Sequence, residues 1–232
     1  NLMRVKKAII LSAGFGKRLN PLTLTNPKPL LKIKSKTLLE NTINILIEFG
    51  IEKIWINTHY FAKKIKSYIE KKNFNCSINV TEEKDNILNT GGGVLNISKN
   101  FFNEPFFVIN PDTIWSKDYL NEFEIIEEMY FSKKLKNILL VVSYKKSFDK
   151  NLKGDFKLEK NFLFRNNTGN NKYIYTGLQL MNNEIFRGYK IEPFSINSVW
   201  DKLIIKNQLY GFESQQNFLH ITNLEVYKKL NN

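Results

Sequence analysis

The chain of 232 residues has one cysteine, Cys76, only two histidines, His59 and His220, and 22 acidic residues against 35 Lys and Arg. A lone cysteine excludes an internal disulfide and fits a reducing, cytoplasmic compartment. Cys76 sits between Asn75 and Ser77 at the start of an expected strand and reads as packing, not as a nucleophile. Two separated histidines leave no Cys/His cluster for zinc and suggest no Ser-His-Asp arrangement. His59 follows Asn57-Thr58 where a helix is expected to begin, and reads as a cap or packing residue. No apolar run reaches the length of a membrane span, so no membrane partner is expected. No leader is visible either: Asn1-Leu2-Met3-Arg4 runs straight toward a strand. Repeats, low-complexity linkers and internal boundaries are also missing.

The shortage of acid leaves a formal net charge of +13. A nucleic-acid binder would gather that charge in one stripe. Here Lys6, Lys63, Lys71, Lys133, Lys150 and Lys202 are scattered. The excess reads as a solvated basic surface that helps draw in small anions, and no nucleic-acid partner is expected.

What is present is an alternation of strand and helix patterns. Ala8-Ile9-Ile10-Leu11 reads as a buried strand. Thr37 and Glu40 form a T-x-x-E capping box ahead of Leu38, Leu39, Ile43, Leu46, Ile47 and Phe49, a helical apolar face closed by Gly50. Strands follow at 53–57 and 77–81, with a helix on Phe61, Ile65, Tyr68 and Ile69 between them. Asn89-Thr90-Gly91-Gly92-Gly93 reads as a loop opening a short helix, and 106–109 as the most apolar strand of this half. Further on, strands are expected at 138–143, 173–181, 210–212 and 218–221. A hairpin turns at 159–161, and helices are expected at 194–206 and 224–230. Four alternations before Asp112 predict an α/β fold, a Rossmann-like, doubly wound, mostly parallel sheet. Ligands on such sheets sit at the carboxyl ends of the strands, where Asn57, Thr90 and Asp112 all fall.

The stretch after the first strand is the most informative: L-S-A-G-F-G-K-R-L-N-P-L-T-L-T-N-P-K-P-L, from Leu11 to Leu30. Gly14 and Gly16 allow positive φ and inward N–H groups, a nest for phosphate. Arg18 and Lys28 add fixed positive charge. Pro21, Pro27 and Pro29 keep the following segment out of a helix. A tight turn alone would account for G-F-G. The whole pattern, L-x-A-G-x-G-x-R-x-x-P-L-T-x-x-x-P-K-P-L, resembles the signature of the sugar-phosphate nucleotidylyltransferases, the NDP-sugar pyrophosphorylases.

That resemblance implies one nucleotidyltransferase domain over 1–232, with about 1–115 holding the nucleotide and about 116–232 the sugar phosphate. It implies nucleotide contacts from Leu11, Ala13, Gly14, Gly16, Lys17, Arg18, Asn57, Thr90, Gly91 and Gly92, the T-G-G-G loop facing the base. Arg18 would stabilise the leaving pyrophosphate and Lys28 hold the α-phosphate or the sugar phosphate. Asp112 would bind Mg2+, although locally it reads equally as a turn former after Pro111. Asp155, Thr176 and Gly177 would border the sugar phosphate; on local sequence they are a hairpin turn and a strand end. Relatives close the site with a W-x-D-V-G-T-like segment whose Asp is a second metal ligand. The matching stretch here, 218–223, has His220 in its place; His220 reads either as the second ligand, with Mn2+ as an alternative ion, or as a residue that donates a hydrogen bond to a phosphate or packs beside Trp200. No C-terminal β-helix of the kind some relatives carry is expected. The loop resembles that of N-acetylmuramate 1-phosphate uridylyltransferases. Other pairs, such as mannose 1-phosphate with GTP or choline phosphate with CTP, and a weakly active nucleotide-sugar binder, remain as rivals. The substrates are small molecules in every enzymatic case, and a monomer or homodimer is expected.

Overall fold

The computed structural model describes residues 3–232; Asn1 and Leu2, part of the start read above, lie outside the described residues. In chain order the strands are β1 (Lys7–Ser12), β2 (Lys32–Ile33), β3 (Lys36–Thr37), β4 (Lys53–Thr58), β5 (Ser77–Glu82), β6 (Phe106–Ile109), β7 (Ile138–Ser143), β8 (Lys157–Glu159), β9 (Phe162–Phe164), β10 (Tyr173–Met181) and β11 (Tyr210–Glu213). The helices are α1 (Leu38–Phe49), α2 (Ala62–Lys72), α3 (Asn89–Ser98), α4 (Leu120–Phe131), α5 (Ile196–Ile205) and α6 (Leu224–Asn231).

Nine strands form one sheet in the order β5-β4-β1-β6-β10-β7-β11-β9-β8. Strands β5, β4, β1, β6, β7, β11 and β8 run one way; β10 and β9 run against them. The expected mostly parallel α/β sheet is therefore present. Neighbouring side chains along a strand point to opposite faces. Ala8 and Ile10 join Ile54, Ile56, Phe107, Leu39, Ile43 and Phe123 on one side. Ile9 joins Val94, Phe106, Val108, Val199 and Trp200 on the other. With both faces covered, the central strands are continuous apolar runs, as parallel sheets require. Among the described residues no helix is long and apolar enough to cross a membrane, and no β-helix is present.

Helix α1 begins as its capping pattern predicts: Thr37 Oγ1 accepts from Glu40 N at 3.0 Å. Only half the box forms. The Glu40 carboxylate instead accepts from Tyr68 OH at 3.0 Å and pairs with Lys72 at 3.1 Å. Gly50 ends the helix at φ 112°, where a Cβ would be strained.

Three expectations are corrected. The T-G-G-G segment is not a loop but the first turn of α3. Residues 218–221 are not a strand. Their backbone bonds alternate between 112–114 on one side and 146–148 on the other, which makes single bridges and no ladder. Helix α4 occupies a stretch where the sequence pattern predicts no element.

Candidate active site

Strand β1 delivers the chain to the carboxyl edge of the sheet at Ser12, and the glycine-rich turn follows. Gly16 has φ 64° and a Cβ there would meet Lys28 Cβ and Thr23 Cγ2, each at 3.1 Å. Gly14 is not in the left-handed region; its missing Cβ leaves open space. The positive-φ argument thus holds at Gly16 alone. Lys17–Leu19 forms a 3-10 turn anchored by buried Leu19, which leaves Arg18 exposed. Among the described residues, no carboxylate lies within 4.0 Å of the Arg18 guanidinium.

Buried Asn57 ties the strand ends together. Its Oδ1 accepts from Ser12 N at 2.7 Å and its Nδ2 donates to Glu83 Oε2 at 2.9 Å. Glu83, also buried, accepts from Leu88 N through Oε1 at 2.9 Å. Both side-chain ends of Asn57 are therefore engaged within the fold.

Asp112 follows β6 through Asn110 and Pro111. Trp115 Nε1 donates to Asn110 O at 2.8 Å, and Ile221 N donates to Asp112 O at 2.8 Å, so the turn is held on both sides. Lys28 Nζ donates to Asp112 Oδ2 at 2.7 Å. The other oxygen, Oδ1, is buried and has no hydrogen-bond partner among the described residues. Burial pushes the Asp112 carboxyl up. The Lys28 charge, then His220, then the Lys28 hydrogen bond pull it down further, to about 2. It is an ionised carboxylate with one free oxygen. Among the described residues, no group of three or more His, Cys, Asp or Glu side chains converges to hold a metal ion. A magnesium ion that takes one carboxylate and fills its shell with substrate phosphates and water fits this donor set.

His220 does not fit as a second ligand on the Asp112 side. Its ring stacks on Phe218, centroids 5.3 Å apart. Nδ1 lies 3.2 Å from Thr113 Oγ1 and 3.6 Å from Asp112 Oδ1. The Thr113 hydroxyl donates its one proton to Thr176 O at 2.7 Å. Its oxygen can therefore only accept from His220, so Nδ1 carries the proton and has no lone pair to offer. Burial lowers the imidazole pKa; Asp112 opposes this, and Lys28 and Arg18 reinforce it. A carboxylate at 220 would have an oxygen near the place of Nδ1. His220→Asp is expected to tighten Mg2+ binding in an equilibrium titration without substrate; unchanged affinity would place residue 220 away from the ion.

The glycine turn, Lys28 and Asp112 line a cavity of about 520 Å³. A second, of about 390 Å³, lies beside it and shares Asn89, Thr90 and Asn110 as a common wall. Of the expected residues, Leu11, Ala13, Gly14, Gly16, Lys17, Arg18, Lys28, Asn57, Thr90 and Asp112 meet in the first. Asp155, Thr176, Gly177 and His220 meet in the second. Gly91 and Gly92 line neither; they are buried in the first turn of α3.

Within the second compartment Asp155 Oδ2 accepts from Tyr175 N at 2.8 Å. The Thr176 hydroxyl is spent inside the sheet, on Leu140 O at 2.8 Å. Gly177 has φ 100° at an irregularity of β10, and a Cβ there would lie 3.1 Å from Asn110 Cβ. Tyr175, Trp200, Asn110 and Asn197 complete the walls, and the sequence patterns single out none of them for this role. Arg165 stands behind, hydrogen-bonded to Asn197 and 5.9 Å over the Trp200 ring. The run Asn110-Pro111-Asp112 and the Y-T-G step were the available signals for Asn110 and Tyr175.

A glycine turn carrying Arg18 at one end, a polar aromatic compartment at the other and a carboxylate between them fit a nucleotide-dependent transferase of the α/β class. The chain belongs to the nucleotidyl transferase family, whose model matches residues 7–148, and within it to the sugar-1-phosphate nucleotidylyltransferases that its signature resembles. It is 26% identical over 221 residues to N-acetylmuramate alpha-1-phosphate uridylyltransferase of Caulobacter vibrioides, covering 93% of this chain and 91% of that one. It is 28% identical over 229 residues to D-glycero-alpha-D-manno-heptose 1-phosphate guanylyltransferase of Aneurinibacillus thermoaerophilus, covering 96% of each. In fold it is similar to a UDP-glucose pyrophosphorylase complexed with UDP-glucose, with TM-score 0.78 and 20% identity over 99% of this chain and 98% of that one.

Proposed function

We propose that the chain joins a nucleoside triphosphate, with UTP favoured, to a sugar 1-phosphate, with N-acetylmuramate 1-phosphate favoured, and releases pyrophosphate. The observation that carries this reading is the end-to-end match to the Caulobacter uridylyltransferase, over 93% of this chain. In this reading all of 1–232 works as one domain, a monomer or homodimer of the cytoplasm.

An oxygen of the sugar phosphate attacks the α-phosphorus and forms the new P–O bond. The bond from the α-phosphorus to the oxygen bridging the α- and β-phosphates breaks, and pyrophosphate leaves with that electron pair. No protein nucleophile is needed; positioning and charge do the work. The Gly14–Gly16 turn brings backbone N–H groups to the triphosphate. Lys28 holds the α-phosphate or the sugar phosphate, and Arg18 meets the charge that develops on pyrophosphate. Asp112 would hold a magnesium ion, or manganese in its place, and the ion would supply charge neutralisation of the phosphate oxygens.

The heptose guanylyltransferase relative, matched over 96% of each chain, supports a second reading with GTP and another sugar phosphate. Pyrophosphate release from a panel of triphosphates and sugar 1-phosphates decides between them. Silence from every pair would leave a binder without turnover. The panel includes one internal control. N-acetylmuramate carries a carboxylate that N-acetylglucosamine lacks, and among the described residues no Lys or Arg lines the second compartment. Arg165 is the cation held against its walls through Asn197 and Trp200. Arg165→Gln is expected to lower kcat/KM for N-acetylmuramate 1-phosphate about two- to threefold and to spare N-acetylglucosamine 1-phosphate, because Arg165, which stands behind the wall and pairs with Asp201 at 3.3 Å, acts on the extra carboxylate only through space. Equal losses would remove Arg165 from this role.

A further inference from the structure

The T-G-G-G turn lies under the other half of the chain. Gly91 N and Gly92 N both donate to Phe194 O, at 2.9 and 3.2 Å, and Phe194 N donates to Leu88 O at 3.2 Å. A Cβ on Gly91 would lie 2.3 Å from the Phe194 ring, and one on Gly92 2.2 Å from Glu192 O. The glycines are there to let the 192–194 segment lie flat on the first turn of α3. Their N–H groups are both spent on Phe194 O of that segment.

One contact runs the other way. Ile196 N donates to Thr90 Oγ1 at 2.9 Å. Ile196 is the first residue of α5, so Thr90 supplies that helix with a capping acceptor from a distant part of the chain. Ser195, Ile196, Asn197 and Trp200 line the second compartment, and Thr90 stands on the wall shared by both. On its other side the 192–194 segment hangs from Leu88, and through Glu83 and Asn57 from Ser12 N at the start of the glycine turn.

We propose that Thr90 is a positioning residue for the sugar side of the cleft: its hydroxyl fixes the N-terminus of α5, and with it Ser195 and Asn197. The assignment of sugar phosphate to that compartment rests on the nucleotidylyltransferase reading above. Thr90→Val removes the acceptor and keeps the shape of the shared wall; Thr90→Ser restores the hydroxyl. In Thr90→Val the KM for the sugar 1-phosphate is expected to rise about five- to tenfold, the scale of one hydrogen bond, with a smaller rise for the triphosphate, whose cavity Thr90 also borders. Thr90→Ser is expected to match the parent enzyme. Amide hydrogen exchange at Ile196 is expected to speed up in the Val variant and not in the Ser variant. A triphosphate KM that rises as much as that of the sugar phosphate overturns the proposal, and so does an unchanged Ile196 exchange rate. If the parent enzyme releases no pyrophosphate with any pair, the catalytic reading fails. Ile196 exchange, with direct titration of the sugar 1-phosphates into parent and Val variant, then decides the role of Thr90 separately.

Discussion

Asp112→Asn is expected to remove divalent-ion-dependent turnover, by about a hundredfold or more, and to leave the fold and metal-free triphosphate binding in place. The reason is the asymmetry of the two oxygens. Oδ2 accepts from Lys28 at 2.7 Å, while Oδ1 is buried and, among the described residues, unpartnered. An Asn side chain keeps the shape and can turn its one oxygen to Lys28, so the ammonium is not orphaned. That rotation puts an NH2 group where Oδ1 stood, and a donor there repels a cation. The substitution also deletes a negative charge that the wild-type group, at about 2, keeps at every working pH. With Lys28 less neutralised, triphosphate measured in the presence of a chelator is expected to bind as tightly as in the parent, or tighter. Turnover titrated against Mg2+, beside calorimetric binding in chelator, checks both halves. Unchanged Mg2+ dependence would remove Asp112 from the ion.

The first half of the fold was legible because its chemistry is local. Phe106–Ile109 is wholly buried, and a strand covered on both faces must be apolar throughout. The glycine turn was legible through the family signature that the whole Leu11–Leu30 pattern resembles. Helix α4 was hidden because Glu122 and Glu127 interrupt its apolar face and yet are buried. Glu122 accepts from Ser214 Oγ and Gln215 N, and Glu127 from Val5 N with Arg4 beside it. Those partners are far away in sequence, so no periodic pattern announces them. The same distance hid the reason for the T-G-G-G glycines, whose neighbours are Glu192 and Phe194. It also hid the proton on His220, which is fixed by what Thr113 does with its own hydroxyl on Thr176. Motifs carried the glycine-turn end of the cleft. The walls of the other end, Tyr175, Trp200, Asn197 and Asn110, come together only through β10 and α5.

Arg18→Ala is expected to lower kcat by about a hundredfold or more, the loss typical of one charged contact to a transition state, while stability stays near that of the parent. Both expectations come from its surroundings. Leu19 is buried and Leu19 N donates to Gly16 O at 2.9 Å, so the backbone turn is anchored without the arginine side chain. Arg18 is exposed and, among the described residues, has no carboxylate within 4.0 Å, so its removal leaves no orphaned charge. Its charge is therefore available to a ligand, unlike that of Lys28, which Asp112 already engages. Lys17 next to it is different. Its ammonium lies 5.5 Å over the Phe15 ring, and Lys17→Ala is expected to act weakly and in a salt-dependent way. Arg18→Lys separates charge from geometry. The ammonium keeps the charge but not the planar fork that grips two phosphate oxygens, so partial recovery is expected. Pyrophosphate release at saturating triphosphate, with thermal unfolding as the control for the fold, reads all three variants. Near-normal kcat in Arg18→Ala would take Arg18 out of the chemistry and shift the expected charge role to Lys28 and Lys17, which line the same cavity.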